Sequence, residues 1–219
     1  HVDFNLGWRK LASLTSFTAS NFGDLRQGNE RSKTYPDFGK STFYVERING
    51  VDSTIENKDF NLQTNSGYQQ IDGLQKFILY HSKKEISTVN IQYSTSGDVD
   101  RYDRLSQLKG TDPKFSEWYY GPQKRLLTSY SFESKKDKKF RDNIKFILAY
   151  QNIEESRHNR KYQSENINRR TENLDVYSFN LDLNKNIKSH TIRYGFEGLY
   201  NAVRSSAYSE NIVSNETSN

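Results

Sequence analysis

The residue types that most often carry out catalysis are present in this sequence but scattered. The four histidines are His1, His81, His158 and His190. They are far apart, and none has a second histidine at a metal-binding spacing. Glu154 and Glu155 are adjacent, so on a strand they point to opposite faces and make a poor general acid and base pair. Cysteine, Gly-X-Ser-X-Gly and Walker motifs are absent. We therefore predict no enzymatic activity, no cofactor and no bound metal.

A second group of residues could bind a ligand. Trp118, Tyr119 and Tyr120 are consecutive aromatic residues, whose rings offer apolar area with a polar handle. Basic residues that could attract an anionic ligand lie on both sides of them: Arg101, Arg104, Lys124 and Arg125. From these two sets we nominate as ligand contacts Trp118, Tyr119, Tyr120 and Arg125.

Each set also has a structural interpretation. Tyr and Phe at strand ends commonly form girdles at a membrane interface. The basic residues could instead pair with acidic neighbours in a polar loop network, namely Asp98, Asp100 and Asp103. The charges nearly cancel across 98–104, which weakens any field that would steer a ligand. Both interpretations stay open.

The elements that must position these residues are predicted to be β-strands, because apolar side chains recur at every second residue. In 175–183, Tyr177, Phe179 and Leu181 alternate with polar side chains that include Asn180 and Asp182. The same period occurs in 87–94, 124–132, 143–151 and 191–201. Weaker strand patterns occur in 2–7, 10–21 and 66–80, and the last has apolar residues on both faces. No window keeps the 3.6-residue period of a helix.

The connections alternate between short and long. Short ones are predicted at 7–9, 81–85, 134–141 and 184–188, and long ones at 22–65, 96–119, 156–172 and from about 204 onward. This alternation is typical of outer-membrane barrels, with short periplasmic turns and long extracellular loops. The lysine run at 135–139 is predicted to be a solvated turn. The fold prediction is all-β: an antiparallel meander of about eight strands that forms one curved sheet, part of a transmembrane β-barrel, with 1–219 as a single domain.

The pattern also predicts which face meets lipid. The side chains predicted on the convex, lipid side are Phe146, Tyr177, Phe179, Leu181, Ile192, Tyr194 and Phe196. Those predicted on the concave, lumen side are Lys145, Asn180, Asp182, Arg193 and Glu197. Composition agrees with such a sheet, because hydrophobic content is only 33% while fifteen Tyr and thirteen Phe are present. A barrel strand needs about 9–11 residues with apolar side chains at alternate positions, so the average stays polar.

Four stretches, taken as a series, resemble a known family: Ser66–Asp72, Tyr93–Leu105, Trp118–Leu127 and Ala149–Arg160. Together they are similar to the middle of the barrel in TonB-dependent receptors of the Bacteroidetes type. The resemblance implies the outer membrane of a Gram-negative bacterium and uptake of a scarce nutrient such as a ferric siderophore, haem or cobalamin. It also implies a 22-stranded barrel, an N-terminal plug, and the TonB–ExbB–ExbD complex as the energy source.

Other functions compete with this one. With no methionine and about eight strands, the chain is expected to be a fragment of such a receptor, without its plug or TonB box. The alternative is a complete small outer-membrane barrel that serves as an envelope anchor or adhesin. A soluble protein that binds nucleic acid through basic and aromatic residues is disfavoured, because these residues do not share one face. The expected partners are therefore outer-membrane lipid and a small molecule or metal chelate, and not nucleic acid.

Overall fold

A computed structural model describes residues 1–218, and its main feature is one large sheet of eight long strands. Asn219, the last residue of the predicted domain, lies outside the described residues. The strands are β1 (Val2–Gly7), β2 (Leu11–Phe22), β3 (Tyr68–Ser82), β4 (Glu85–Ser96), β5 (Lys124–Ser134), β6 (Asn143–Lys161), β7 (Asn166–Ile187) and β8 (His190–Asn211). Each pairs antiparallel with the next along the chain. The predicted all-β meander of about eight strands is confirmed.

The short connections are also confirmed. They join β1 to β2, β3 to β4, β5 to β6 and β7 to β8, and they span residues 8–10, 83–84, 135–142 and 188–189. Because the strands alternate in direction, all four turns lie at the same end of the sheet. We call this end the turn end and the opposite end the loop end.

Two predicted long loops are wrong. Residues 156–161 and 166–172 continue β6 and β7, which pair without interruption from Asn143–Asn184 to Arg160–Ile167. The chain after 204 likewise continues β8 as far as Asn211. These ends lack the period-two pattern because charged and amide side chains occupy both faces, yet the backbone ladder forms regardless. The connection between β6 and β7 is therefore the tight turn at 162–165.

The other two predicted loops carry small elements of their own. Between β2 and β3, Leu25–Arg26 pairs with Leu62–Gln63, and Phe43–Ile48 pairs with Val51–Glu56. The second pair turns at Asn49 and Gly50, both with positive φ (50° and 82°), which the twist of a two-residue hairpin turn requires.

The connection between β4 and β5 holds short strands and one helical turn. Val99–Asp100 pairs with Phe115–Tyr120, Leu108–Lys109 pairs with Asp112–Pro113, and the helix is Tyr102–Leu105. A last short strand, Thr217–Ser218, pairs with the end of β8. No helix among residues 1–218 is long and apolar enough to cross a membrane.

The side chains segregate by face as predicted. Two aromatic ladders cross β6, β7 and β8: Phe146–Phe179–Phe196, with ring centroids 5.4 and 5.8 Å apart, and Tyr150–Tyr177–Tyr200, at 5.0 and 6.2 Å. Leu181 pairs with Phe146 and Phe196, and Tyr194 with Leu183, so they share this face, as does Ile192, two residues from Tyr194. The opposite face carries the predicted polar set: Lys145, Asn180, Asp182, Arg193 and Glu197. The strand register also settles which side chains of 66–80 lie on which face, and it places Phe77 and Leu79 on the aromatic face.

The sheet has no apolar core. Within residues 1–218, the large apolar side chains that are buried are Trp118 and Ile167, and both lie at the loop end. On the sheet, Phe4, Phe196 and Tyr200 are each more than 60% exposed. The sheet is also open, since in the described chain β1 pairs with β2 alone and does not meet β8. Its apolar residues thus form a surface.

Candidate functional site

The nominated aromatics lie on the short strand Phe115–Tyr120, which extends the sheet at the loop end. This strand pairs with the outer part of β6, placing Trp118 opposite Asn159, Tyr119 opposite His158 and Tyr120 opposite Arg157. Its register shifts between Phe115 and Glu117. Because successive side chains point to opposite faces, Trp118 and Tyr120 share one face and Tyr119 points to the other.

Trp118 and Tyr120 form a compact cluster with Arg101. The two rings meet edge to face with centroids 5.1 Å apart. The Arg101 guanidinium lies 4.8 Å from the Trp118 ring and donates a hydrogen bond to the Tyr120 hydroxyl at 3.0 Å. Asp103 binds the same guanidinium at 2.9 and 2.5 Å, so the proposed polar network of this loop is present in part. The rings are held in place, and the cation between them is already neutralised.

Tyr119 belongs to a separate group on the other face. Its ring stacks against His158 at 4.8 Å, and its hydroxyl accepts a hydrogen bond from Arg169 at 3.2 Å. Arg169 also pairs with Glu210 of β8. Burial raises the pKa of Tyr119, and burial together with the Arg169 charge lowers the pKa of His158. Both pKa shifts favour the neutral form of the side chain.

Arg125 lies on β5 and lines a polar groove of about 470 Å³ that crosses β2 to β6. It is exposed and donates a hydrogen bond to Gln151 at 2.8 Å. On the far side of the groove, Asp72 accepts hydrogen bonds from Ser94 at 2.6 Å and Gln70 at 3.0 Å. The groove thus offers an arginine, a carboxylate and hydroxyl groups to a polar ligand.

The four nominated residues do not form one small site. Arg125 is opposite Ile153 and Trp118 is opposite Asn159, six residues further along β6. At roughly 3.3 Å per residue, their backbones are about 20 Å apart along the sheet, although both project from the same face. The structure brings together Trp118 and Tyr120, separates Tyr119 by face, and places Arg125 nearer the middle of the sheet. A ligand that touches all of one face would have to be large.

Two carboxylates beside the strand Phe115–Tyr120 have, in the described part of the chain, no basic partner that would balance their charge when ionised. Burial raises the pKa of Asp100 to about 7, and the charges of Asp98, Glu117 and Asp24 add to this effect. Burial also raises the pKa of Asp98, although His158 and Arg169 oppose the change. Within residues 1–218 neither carboxylate forms an ion pair. Asp98 and Asp100 therefore stand outside the arginine network that the sequence predicted for them.

The most heavily buried polar contact is one that the sequence analysis missed. Arg160, at the end of β6, forms two parallel hydrogen bonds with Asp52, at 2.8 and 2.9 Å, and both side chains are at most 1% exposed. Asp52 belongs to the hairpin Phe43–Glu56, so this pair joins the loop after β2 to the tip of β6. We call this pair and its partners the clasp.

Further polar groups contact the clasp, including Arg47, whose guanidinium lies 3.3 Å from the Asp52 carboxylate. Asp52 also accepts hydrogen bonds from the Ser116 hydroxyl at 2.5 Å and the Gln163 amide at 2.8 Å, while Arg160 binds Glu117 at 2.7 Å. Burial opposes the ionisation of Asp52, but the hydrogen bonds from Arg160, Ser116 and Gln163 outweigh it and lower its pKa to about 2. The clasp fixes three segments, 43–56, 115–120 and 160–164, as one rigid unit.

One sequence signal could have located part of the clasp. Asn49-Gly50 is a strong signal for a two-residue hairpin, and it lies within the predicted loop 22–65. No local signal identifies Arg160 as the partner of Asp52, because the two residues are 108 positions apart.

Comparison with known proteins identifies no relative. No family model, curated protein or solved structure matches the chain. Among residues 1–218, no group of three or more His, Asp or Glu side chains is arranged to hold a metal ion. The arguments for function therefore rest on the sheet and on the loop end.

Proposed function

We propose that this chain is part of an outer-membrane TonB-dependent receptor that takes up a scarce nutrient such as a ferric siderophore, haem or cobalamin. The observation that carries the proposal is the exposed apolar face of the sheet, with its aromatic ladders and no core beneath it. An exposed apolar surface of this extent is unfavourable in water and marks an interaction surface. Hydrocarbon chains of lipid suit it, because apolar side chains recur at every second residue along 87–94, 143–151, 175–183 and 191–201.

The two ends of the sheet support the same proposal. Short connections join the strands at one end, and the segments 23–67 and 97–123 cover the other end with structured loops. Loops held by a rigid scaffold are where binding residues concentrate. Tyr120 on this end, packed edge to face against the buried Trp118, and Arg125 in the polar groove are our proposed contacts, with Tyr119 reachable from the opposite face. The ligand would meet the loop end first and the groove second.

Energy for uptake is proposed to come from elsewhere. In the receptors that the sequence resembles, an N-terminal plug closes the barrel and the TonB–ExbB–ExbD complex supplies energy. We propose that this chain works with both, and that it contributes no enzymatic step. A small, closed eight-stranded anchor or adhesin is less compatible with the fold, because closure needs β1 to pair with β8 and the described sheet is open.

The test is nutrient binding and uptake by cells that produce the complete natural polypeptide. Tyr120→Leu and Arg125→Gln should each weaken binding of the transported chelate by at least about tenfold, the loss expected for a well-packed contact of about 1.4 kcal/mol. Lys109→Gln is the matched control, because Lys109 is exposed at the loop end and lies outside both proposed contact sets. Surface abundance is measured with an external epitope for every variant.

Two results would count against the proposal. If the polypeptide does not fractionate with the outer membrane, the membrane assignment fails. If it does, but both variants bind ferric siderophores, haem and cobalamin as the control does, the nominated contacts are wrong.

A further inference from the structure

The four short connections at the turn end are all basic. Residues 8–10, 83–84, 135–142 and 188–189 contain ten Lys or Arg and two Asp, a net charge of +8. The whole chain carries +5, so the remaining residues together carry −3. The net positive charge of this protein is therefore located in fifteen residues at one end of the sheet, which we call the basic row.

Backbone hydrogen bonds hold these turns side by side. Tyr80 N–H donates to Lys10 C=O at 2.9 Å, Lys135 N–H to Lys84 C=O at 2.8 Å, and Asp142 N–H to Asn184 C=O at 2.8 Å. Each bond links one turn to the next hairpin of the sheet. The row is thus a continuous edge, and its charges keep their spacing.

Most of these charges are available to a partner. In the described chain, three residues of the row form ion pairs. Lys136 binds Glu85, and Asp137 and Asp142 both bind Lys185. Lys83, Lys84, Lys138 and Lys139 are exposed and form no ion pair within residues 1–218. Like charges held this close repel one another, and an anionic partner would relieve that repulsion.

Aromatic residues occur among the lysines. Trp8 is 58% exposed and Phe140 is 73% exposed, and the Lys139 ammonium lies 5.4 Å from the centre of the Phe140 ring. The apolar face of the sheet ends directly beside the row, at Leu6, Leu79 and Tyr194. Aromatic rings and lysines at the limit of an apolar band are suited to the headgroup layer of a bilayer. A nucleic acid would require stacking rings and basic residues together on one open face.

We propose that the basic row binds the headgroups of anionic phospholipids. The inference rests on the proposed membrane function, since the apolar face must lie in the same bilayer. Lysines near an anionic surface attract phosphate oxygens, and the attraction falls within a Debye length. Bound headgroups would fix the depth and tilt of the sheet at this end.

The test uses the complete polypeptide reconstituted in phosphatidylcholine vesicles that contain a small fraction of spin-labelled lipid. Electron paramagnetic resonance measures how strongly the protein retains spin-labelled phosphatidylglycerol relative to spin-labelled phosphatidylcholine. We expect at least a roughly threefold preference for phosphatidylglycerol, which high salt should reduce. The variant Lys83→Gln, Lys84→Gln, Lys138→Gln, Lys139→Gln should lose this preference.

The matched control removes the same charge from the loop end: Lys33→Gln, Lys58→Gln, Lys109→Gln, Lys161→Gln. All four of these lysines are exposed and form no ion pair in residues 1–218. The control should keep the preference of the unmodified protein. Equal losses in both variants, no preference in the unmodified protein, or tighter binding to a single-stranded oligonucleotide would overturn the inference.

A separate assay of membrane insertion tests the proposed function itself. Co-flotation with vesicles of phosphatidylcholine alone, resistant to carbonate extraction, reports insertion through the apolar face. A protein that does not insert refutes the membrane function. A protein that inserts without preferring phosphatidylglycerol refutes the basic row alone.

Discussion

The loop end and the turn end of this sheet use the same charged residue types in opposite ways. At the loop end, the Asp52–Arg160 pair is withdrawn from water and surrounded by further hydrogen bonds. At the turn end, lysines of the basic row stand exposed with few acidic neighbours. Burial, rather than residue type, decides whether a charge holds the chain together or remains available to a partner.

The difference has an energetic basis. A buried charge that loses its partner stays in a low-dielectric environment, so removing one member of the pair is expensive. An exposed lysine keeps its hydration whether or not a carboxylate is near, so its removal changes stability little. The two ends should therefore respond very differently to mutation.

Breaking the clasp should have the largest effect. Arg160→Met leaves the Asp52 carboxylate buried without its main partner and should cost about 3–5 kcal/mol. The measurement is urea unfolding followed by Trp118 fluorescence in a Trp8→Phe background, because Trp118 lies on the strand that carries Ser116 and Glu117. Lys161→Met is the control, since its side chain is exposed beside Arg160.

A double variant separates the effect of the unpaired buried charge from the effect of lost side-chain packing. Asp52→Asn combined with Arg160→Met removes both charges and should recover a large part of the lost stability. If Arg160→Met unfolds at the same urea concentration as the control, the clasp does not stabilise the loop end.

Substitution on the apolar face between the two ends should have the next largest effect on stability. Phe179→Arg places a charge in the aromatic ladder and should cost about 2–4 kcal/mol if residue 179 lies near the bilayer midplane. Refolding titrations of the complete polypeptide into lipid vesicles measure this cost. Ser178→Arg is the matched control on the polar face, and an equal cost for both variants would contradict the assignment of lipid to the aromatic face.

The pH response should distinguish two carboxylates within the loop end. Asp52 has a folded pKa of about 2, below its usual 3.8, so its contribution is present above about pH 4. That contribution, about 2 kcal/mol for a shift of this size, should be lost as the pH falls towards 2. The Trp118 unfolding midpoint should therefore drop in this range, and Asp52→Asn should abolish that drop.

Asp100 should behave in the opposite sense. Its folded pKa is raised to about 7, so it favours folding at low pH and this advantage is lost as the pH rises through 7. Asp100→Asn should raise the unfolding midpoint at pH 8 and leave it nearly unchanged at pH 4. A variant that is destabilised at pH 8 would show that the ionised carboxylate has a stabilising partner.

The smallest effect is expected at the turn end. Lys83→Gln with Lys84→Gln should change the unfolding free energy by no more than about 0.5 kcal/mol, as for surface substitutions generally. The same urea titration measures it. A larger loss would mean that the basic row supports the fold, which would remove the contrast between the two ends.

The sequence predicted the sheet well because its signal is local. Alternation along 87–94, 124–132, 143–151, 175–183 and 191–201 places one apolar residue in every two, and tight turns separate the pairs of strands. The outer parts of β6 and β7 carry no such alternation, since residues such as Arg169, Arg170 and Glu172 are polar on both faces. Their pairing continues the hydrogen-bond ladder that begins at the turn end of the sheet, and a local sequence pattern cannot reveal it.

The loop end was predictable only in part. Trp118 and Tyr120 were nominated from their residue types, and they do lie together. Their pairing with Arg101, the opposite direction of Tyr119 and the distance to Arg125 depend on the register between Phe115–Tyr120 and β6. The clasp depends on a contact across 108 residues, for which charge type alone offers many equivalent partners.

That long separation has a consequence for assembly. Neighbouring strands of the meander are also neighbours in sequence, so hairpins can form one after another with short loop closures. The clasp must wait until β6 has joined, because Arg160 is its last residue but one. A slip of one residue in β6 would turn Arg160 to the opposite face and away from Asp52. Formation of the clasp therefore requires that β2 through β6 are already aligned in the correct register.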